Sequence, residues 1–135
     1  MVNPQMANYT LKNLREIQDK AVEFGLSPDL EARFASAELD LNRSGISYQR
    51  LAPGFRMPFG HRHKQQEEIY VVVSGGGRVK LDDEIVELRQ WDAIRVSNDT
   101  TRNFEAGLDG AELLAYGAPA TGPGDAELKP GWWTD

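Results

Sequence analysis

His61-Arg62-His63-Lys64-Gln65-Gln66-Glu67-Glu68-Ile69-Tyr70-Val71-Val72-Val73-Ser74-Gly75 contains both histidines of a 135-residue chain. On a β-strand, residues i and i+2 point to the same face. His61 and His63 are therefore expected side by side on one strand. On the next strand Glu68, Tyr70 and Val72 share one face, and Ile69, Val71 and Val73 share the other. Both faces are largely apolar, so that strand reads as buried on both sides. A buried carboxylate without a partner is costly. Glu68 is thus expected to meet the two imidazoles, and two nitrogens with one oxygen make half to three quarters of a metal site.

Outward from this stretch, short segments rich in β-branched and aromatic residues alternate with turn residues. Strands are expected near 35–41, 45–51, 60–63, 67–73, 77–81, 84–88, 93–96, 101–106 and 111–117. Asn42-Arg43-Ser44-Gly45, Ala52-Pro53-Gly54, Ser74-Gly75-Gly76-Gly77, Asp82-Asp83 and Leu108-Asp109-Gly110 supply the turns. Many short strands at close spacing mean a sandwich or a barrel. Ahead of them, Leu11, Leu14, Ile17, Ala21 and Phe24 recur at steps of three and four, which predicts one amphipathic helix. Thr10 suits its N-cap and Gly25 its stop. Ser27-Pro28-Asp29 reads as the start of a second, shorter helix. Residues 1–9 read as a loose arm. The expected organisation is one domain: arm and helix over 1–33, barrel over 34–118, and a tail over 119–135. The tail, with Gly122, Pro123, Gly124, Pro130 and Gly131, reads as extended loop ending in Trp132-Trp133.

Composition narrows the function classes. Net charge is -6, which opposes nucleic-acid binding, since that needs a basic patch for phosphates. It also opposes an anionic membrane surface. No apolar run approaches the roughly 20 residues that span a bilayer. The first eight residues lack the basic start and apolar core of a secretory signal. Cysteine is absent, which excludes disulfides, thiolate ligands and a cysteine nucleophile. A cytoplasmic location is the expectation.

The central stretch resembles the first motif of the cupin superfamily: a glycine, His-x-His, three or four residues, Glu, six residues, Gly. Here these are Gly54, His61-Arg62-His63, Lys64-Gln65-Gln66-Glu67, Glu68, Ile69 to Ser74, and Gly75. The step from Gly54 to His61 is one residue longer than usual. Trp91 to Glu105 corresponds to the second motif. Asp92 matches its turn, Ser97-Asn98-Asp99 replaces its Pro-x-Gly, and Arg102 stands at or next to its histidine. The resemblance spans roughly residues 35–117. It implies an all-β fold, an antiparallel cupin-type barrel (a double-stranded β-helix or jelly roll), here with a short helical N-terminal extension. It also implies frequent homodimers and a metal held by His61, His63 and Glu68.

Arg102 leaves two readings open, because a guanidinium is permanently cationic and does not ligate metals. In one, His61, His63 and Glu68 hold a divalent ion (iron, manganese, nickel, copper or zinc), and Arg102 clamps a substrate carboxylate or phosphate beside it. In the other, no metal binds and Arg102 pairs with Glu68 in a polar pocket. Each candidate also has a plainer role. The histidines could be hydrogen-bonded barrel residues and Arg102 a rim salt bridge. Tyr70, a candidate proton carrier, could be barrel lining. Glu67 competes with Glu68 by spacing, but alternation turns it outward. Phe55, Met57 and Phe59 could wall a pocket or pack the core, and Trp132-Trp133 could dock on the barrel or a partner subunit. The leading expectation is a small metal-dependent cupin that binds or transforms a small anionic organic molecule, as a dioxygenase, isomerase or lyase. The alternatives are a metal-free module for a sugar or carboxylate, and a structural or regulatory dimer.

Overall fold

A computed structural model describes residues 8–122 and 124–135. Most of the expected N-terminal arm, and Pro123 of the tail, lie outside the described residues. Among the described residues eight strands follow one another: β1 (Leu30–Phe34), β2 (Gly45–Leu51), β3 (Phe59–His63), β4 (Glu67–Leu81), β5 (Glu84–Leu88), β6 (Ala93–Val96), β7 (Arg102–Ala118) and β8 (Ala126–Pro130). All pairings are antiparallel. No helix among the described residues is long and apolar enough to cross a membrane.

The two long strands build the barrel. β4 and β7 run beside each other for most of their length, with irregularities between Val72 and Ser74 and between Gly75 and Gly77. Bulges of this kind bend a strand and raise its twist. Before the bend, β4 pairs with β6 on its other edge, and the matching half of β7 pairs with β2, which pairs with β1. After the bend, β4 pairs with β5, while the start of β7 meets β3, which pairs with β8. The result is two facing five-stranded layers, β6-β4-β7-β2-β1 and β5-β4-β7-β3-β8, joined through the same two strands. Four of the expected strands, 67–73, 77–81, 101–106 and 111–117, are thus halves of β4 and β7. The bend requires glycine: Gly75 has φ +70°, and a Cβ there would lie 2.0 Å from the Gly110 carbonyl oxygen.

The inner faces of the two layers meet over Leu51, Val72, Val79, Phe104 and Leu113, all buried. Burying a Val, Leu or Phe side chain contributes about 1.5–3 kcal/mol relative to leaving it in water. This packed end closes the barrel. The end of β3 and the starts of β4 and β7 come together at the other end, and the histidines are there.

The N-terminal helix is not formed. Among the described residues the only helical element is a 3-10 turn at Leu14–Glu16. The backbone partners a helix would need are taken elsewhere. Asn13 Oδ1 accepts from Arg15 N, and Asp19 Oδ1 accepts from both Ala21 N and Ala32 N, tying the segment to the edge of β1. Of the five periodic apolar residues only Ile17 and Ala21 are buried, while Leu11 is 85% and Phe24 68% exposed. The second helix start leads instead into β1. The strand expected over 35–41 is a turn, closed by Leu39 N to Ala35 O and Leu41 N to Ser36 O, and the strand itself comes five residues earlier. At the other end the tail contributes β8. The sheet therefore runs from Leu30 to Pro130, past both limits of the 34–118 barrel expected from sequence.

Candidate metal centre

Strand alternation turns His61 and His63 into the barrel, and Gly60 and Arg62 outward. Their rings stand edge to face, with centroids 5.1 Å apart. Glu68, at the start of β4, reaches them from the facing layer. Its Oε1 lies 3.0 Å from His63 Nε2 and 3.5 Å from His61 Nε2. The three residues offer ligand atoms within 4.8 Å of one another. Glu68, not the exposed Glu67, supplies the carboxylate.

Tyr70, two residues on and on the same face, donates its hydroxyl to Glu68 Oε1 at 2.6 Å, and its oxygen is 3.4 Å from His61 Nε2. The tyrosine is buried against Phe104, with ring centroids 4.6 Å apart. Arg102 is wholly buried, at 0% exposure. Its guanidinium donates to the carbonyls of His61 (3.4 Å) and Ser97 (3.2 Å), and its Nη2 stops 3.9 Å from Glu68 Oε1. The substrate clamp expected at Arg102 thus has no surface in this geometry with which to touch a ligand. The side chain faces Glu68 from inside the barrel.

Electrostatics follow from these contacts. Burial works to raise the Glu68 pKa, but the two close imidazoles of His61 and His63 and the hydroxyl bond from Tyr70 outweigh it and hold the carboxyl well below the usual carboxylate range. Burial lowers His61. It also works to lower His63, but there Glu68 and Asp125 prevail and the pKa rises. Burial, reinforced by the Glu68 charge, pushes Tyr70 well above its ordinary value, so it remains a proton donor.

The donor set fits a divalent cation. His63 Nδ1 is 2.9 Å from Asp125 Oδ2, an acceptor-only carboxylate. His63 Nε2 is buried and has no hydrogen-bond partner among the described residues, although Glu68 Oε1 lies 3.0 Å away, too oblique for a bond. With the Nδ1 proton on the Asp125 side, a His63 Nε2 lone pair, a second imidazole nitrogen and a carboxylate oxygen converge with no hydrogen bond between either ring and the carboxylate. That is a cost unless a cation sits among them. The opening is on the side of His61, whose side chain is 29% exposed against 11% for His63 and 13% for Glu68. Phe59, two residues before His61, and Leu128, its partner on β8, flank that edge and are themselves exposed. Phe55 and Met57 pack against the core.

Asp125 and β8 were missed from sequence. Their signal was present: Ala126-Glu127-Leu128-Lys129 alternates apolar and charged residues. The final residues dock on the outside of the β3 layer. Lys80 lies over the Trp132 ring and donates to its carbonyl at 2.7 Å, and Arg56 lies over Trp133. Asp135 closes the cluster on Arg56 (2.9 Å) and Arg78 (3.3 Å).

The fold and this inward His-His-Glu set define a cupin-type barrel with a candidate metal centre. The chain belongs to the cupin family: residues 47–114, half of its length, match the family's cupin domain. No curated protein matches it in sequence. Among solved structures, a cupin protein from Bacteroides fragilis is 28% identical, with a TM-score of 0.70 over 85% of this chain and 87% of that one. The nucleoside dehydratase PAC13 is similar in fold, at 18% identity and a TM-score of 0.70 over 92% of this chain and 91% of that one. Oxalate decarboxylase from Bacillus subtilis is 20% identical, with a TM-score of 0.70 over 92% of this chain and 34% of that longer one.

Proposed function

We propose that this cupin binds one divalent metal through His61, His63 and Glu68 and acts as a lyase on a small anionic organic molecule. The observation that carries the reading is the buried, unpartnered His63 Nε2 facing Glu68 Oε1. A metal held there would supply Lewis acidity, polarising a bound oxygen and stabilising developing negative charge. The chain's own residues do the rest. Tyr70 anchors Glu68 and keeps its own proton. Arg102 adds a fixed positive charge behind the carboxylate, so the centre favours an anion through its field, without contact. Phe59 and Leu128 border the open edge and offer a ligand exposed apolar surface. Removal of a small molecule is the reaction of two proteins that share the fold, the dehydratase and the decarboxylase. Isomerase and dioxygenase chemistry draw on the same three ligands and rank behind it.

Elemental analysis of tag-free protein, beside a His61→Ala, His63→Ala double variant, tests the metal. Near-stoichiometric metal in the parent and none in the variant is the expected result. A parent that stays metal-free after incubation with iron, manganese, nickel, copper and zinc sinks it. The Arg102 Nη2 to Glu68 distance of 3.9 Å favours a second reading in that event. Glu68 is then neutralised internally, and the barrel mouth is a metal-free pocket for a carboxylate or sugar. Such a ligand would raise the melting temperature in the presence of a chelator.

A further inference from the structure

Asp125 closes the turn between the histidines and Glu68. Its Oδ1 accepts from Gln65 N at 2.9 Å, and its Oδ2 accepts from Gln66 N at 3.4 Å and faces His63 Nδ1 at 2.9 Å. Its backbone carbonyl accepts from Lys64 N at 2.9 Å. Both carboxylate oxygens are thus surrounded by donors, and Asp125 is buried. An ionised carboxylate only accepts, so the ring nitrogen beside it must carry hydrogen. A neutral imidazole carries one, which leaves Nε2 bare. Nε2 is the atom that faces Glu68 and His61. The opposite tautomer would set two lone pairs against each other at Nδ1 and Oδ2.

We propose that Asp125 is the positioning residue of this centre: it fixes His63 as the Nδ1–H tautomer and aims Nε2 at the ligand cluster, so the C-terminal segment completes a site begun on β3. Its consequence for metal affinity rests on the metal reading above, whereas its control of the tautomer does not. The relationship is one in which a partner on the far nitrogen sets the ligating nitrogen of a histidine.

Asp125→Asn discriminates sharply because it is nearly isosteric. Its amide presents one acceptor and one donor edge. The donor edge cannot face the backbone N–H of Gln65, which has no alternative proton position. It must take the place of Oδ2, which gives up the longer bond from Gln66 N and keeps the shorter one from Gln65 N; there it faces His63 Nδ1, and the ring can answer by moving its proton to Nε2. Two measurements follow on the full chain. In metal-free protein, at a pH where each ring carries one proton, ring-nitrogen NMR reports both histidines, and a His61→Gln variant assigns them. The parent should show His63 with Nδ1–H and a bare Nε2, and Asp125→Asn should show the reverse. Zinc ion titrated by calorimetry should bind the variant about 10- to 100-fold more weakly. Asp125→Ala, which removes the acceptor altogether, should give a mixture of tautomers, and it serves if the Asn variant does not fold. A parent with Nε2–H overturns the proposal, as do variants that keep Nδ1–H and the parent's affinity. A tautomer switch between parent and Asp125→Asn, with no zinc bound by the parent, sinks the metal reading and supports Asp125's part.

Discussion

Arg102 has no accessible surface, and its guanidinium stops 3.9 Å from Glu68 Oε1, the atom nearest both imidazoles. A fixed cation and a candidate metal therefore share one carboxylate. Without metal, Arg102 adds a fixed positive charge to the imidazoles and the Tyr70 hydroxyl that hold half-buried Glu68. With metal, the two cations repel. Arg102→Met should therefore destabilise the metal-free protein, because it removes a fixed cation beside Glu68 and leaves the part-buried His61 and Ser97 carbonyls without their donor, at a cost of about 1–3 kcal/mol. The rise in melting temperature on adding saturating zinc should be larger in the variant than in the parent. Equal rises would mean that Arg102 has no say in the affinity of the centre.

Tyr70 is expected to hold Glu68 without being needed for ligation. Its hydroxyl donates to Oε1 at 2.6 Å from a buried position. Tyr70→Phe keeps the ring on Phe104 and removes one hydrogen bond to a charged acceptor, which costs roughly 1.5–3 kcal/mol. Denaturant unfolding should show that loss. Metal stoichiometry should remain that of the parent, since none of the three ligands changes. Loss of metal in a folded Tyr70→Phe protein would make the tyrosine part of the ligand set.

The centre was legible in sequence because its chemistry is local. His61, His63 and Glu68 fall within eight consecutive positions, and alternation alone turns them to one interior. Arg102 stood out from its place in the second motif, but its burial did not, since the carbonyls that hold it come from residues 61 and 97. Asp125 was invisible for a related reason: it meets His63 across 62 positions. In the fold, turn residues and β-branched runs marked the middle strands. The N-terminal segment misled because apolar residues at helical spacing say nothing of where backbone donors go. There Asp19 and the edge of β1 capture them first, and tertiary contacts override periodicity.

The bend that joins the two layers depends on glycine. At Gly75 the backbone is left-handed, and a Cβ would come 2.0 Å from the Gly110 carbonyl oxygen and 3.2 Å from Ala111 Cα. Both neighbours are backbone of β7, so neither yields cheaply. Gly75→Ala should cost roughly 3 kcal/mol or more through strain and forced separation of β4 from β7. Gly122→Ala, where none of the described residues beyond its chain neighbours lies within 4 Å, is the matched control and should be near neutral. Similar melting temperatures for the two variants would show that the strands part easily at the bulge.

Tyr48 sets a stability limit at alkaline pH. It is buried on the outer side of β2 and donates to Glu112 Oε2 at 2.7 Å. Burial first, then the Glu112 hydrogen bond and charge, push its pKa up to about 12. The unfolded chain should ionise near the ordinary tyrosine value of about 10. The folded state thus keeps its proton where the unfolded state has lost it. Stability from this group is complete below pH 10 and disappears as pH rises through the folded value. A shift from about 10 to about 12 corresponds to on the order of 2–3 kcal/mol. Lysines and other tyrosines titrate in the same window, so the useful quantity is the difference between the parent and Tyr48→Phe. Measured by denaturant unfolding from pH 8 to 12, that difference should be flat up to about pH 10 and then fall against the parent by this amount. A flat difference across the whole range would mean that tyrosinate at position 48 is as well accommodated in the fold as in water.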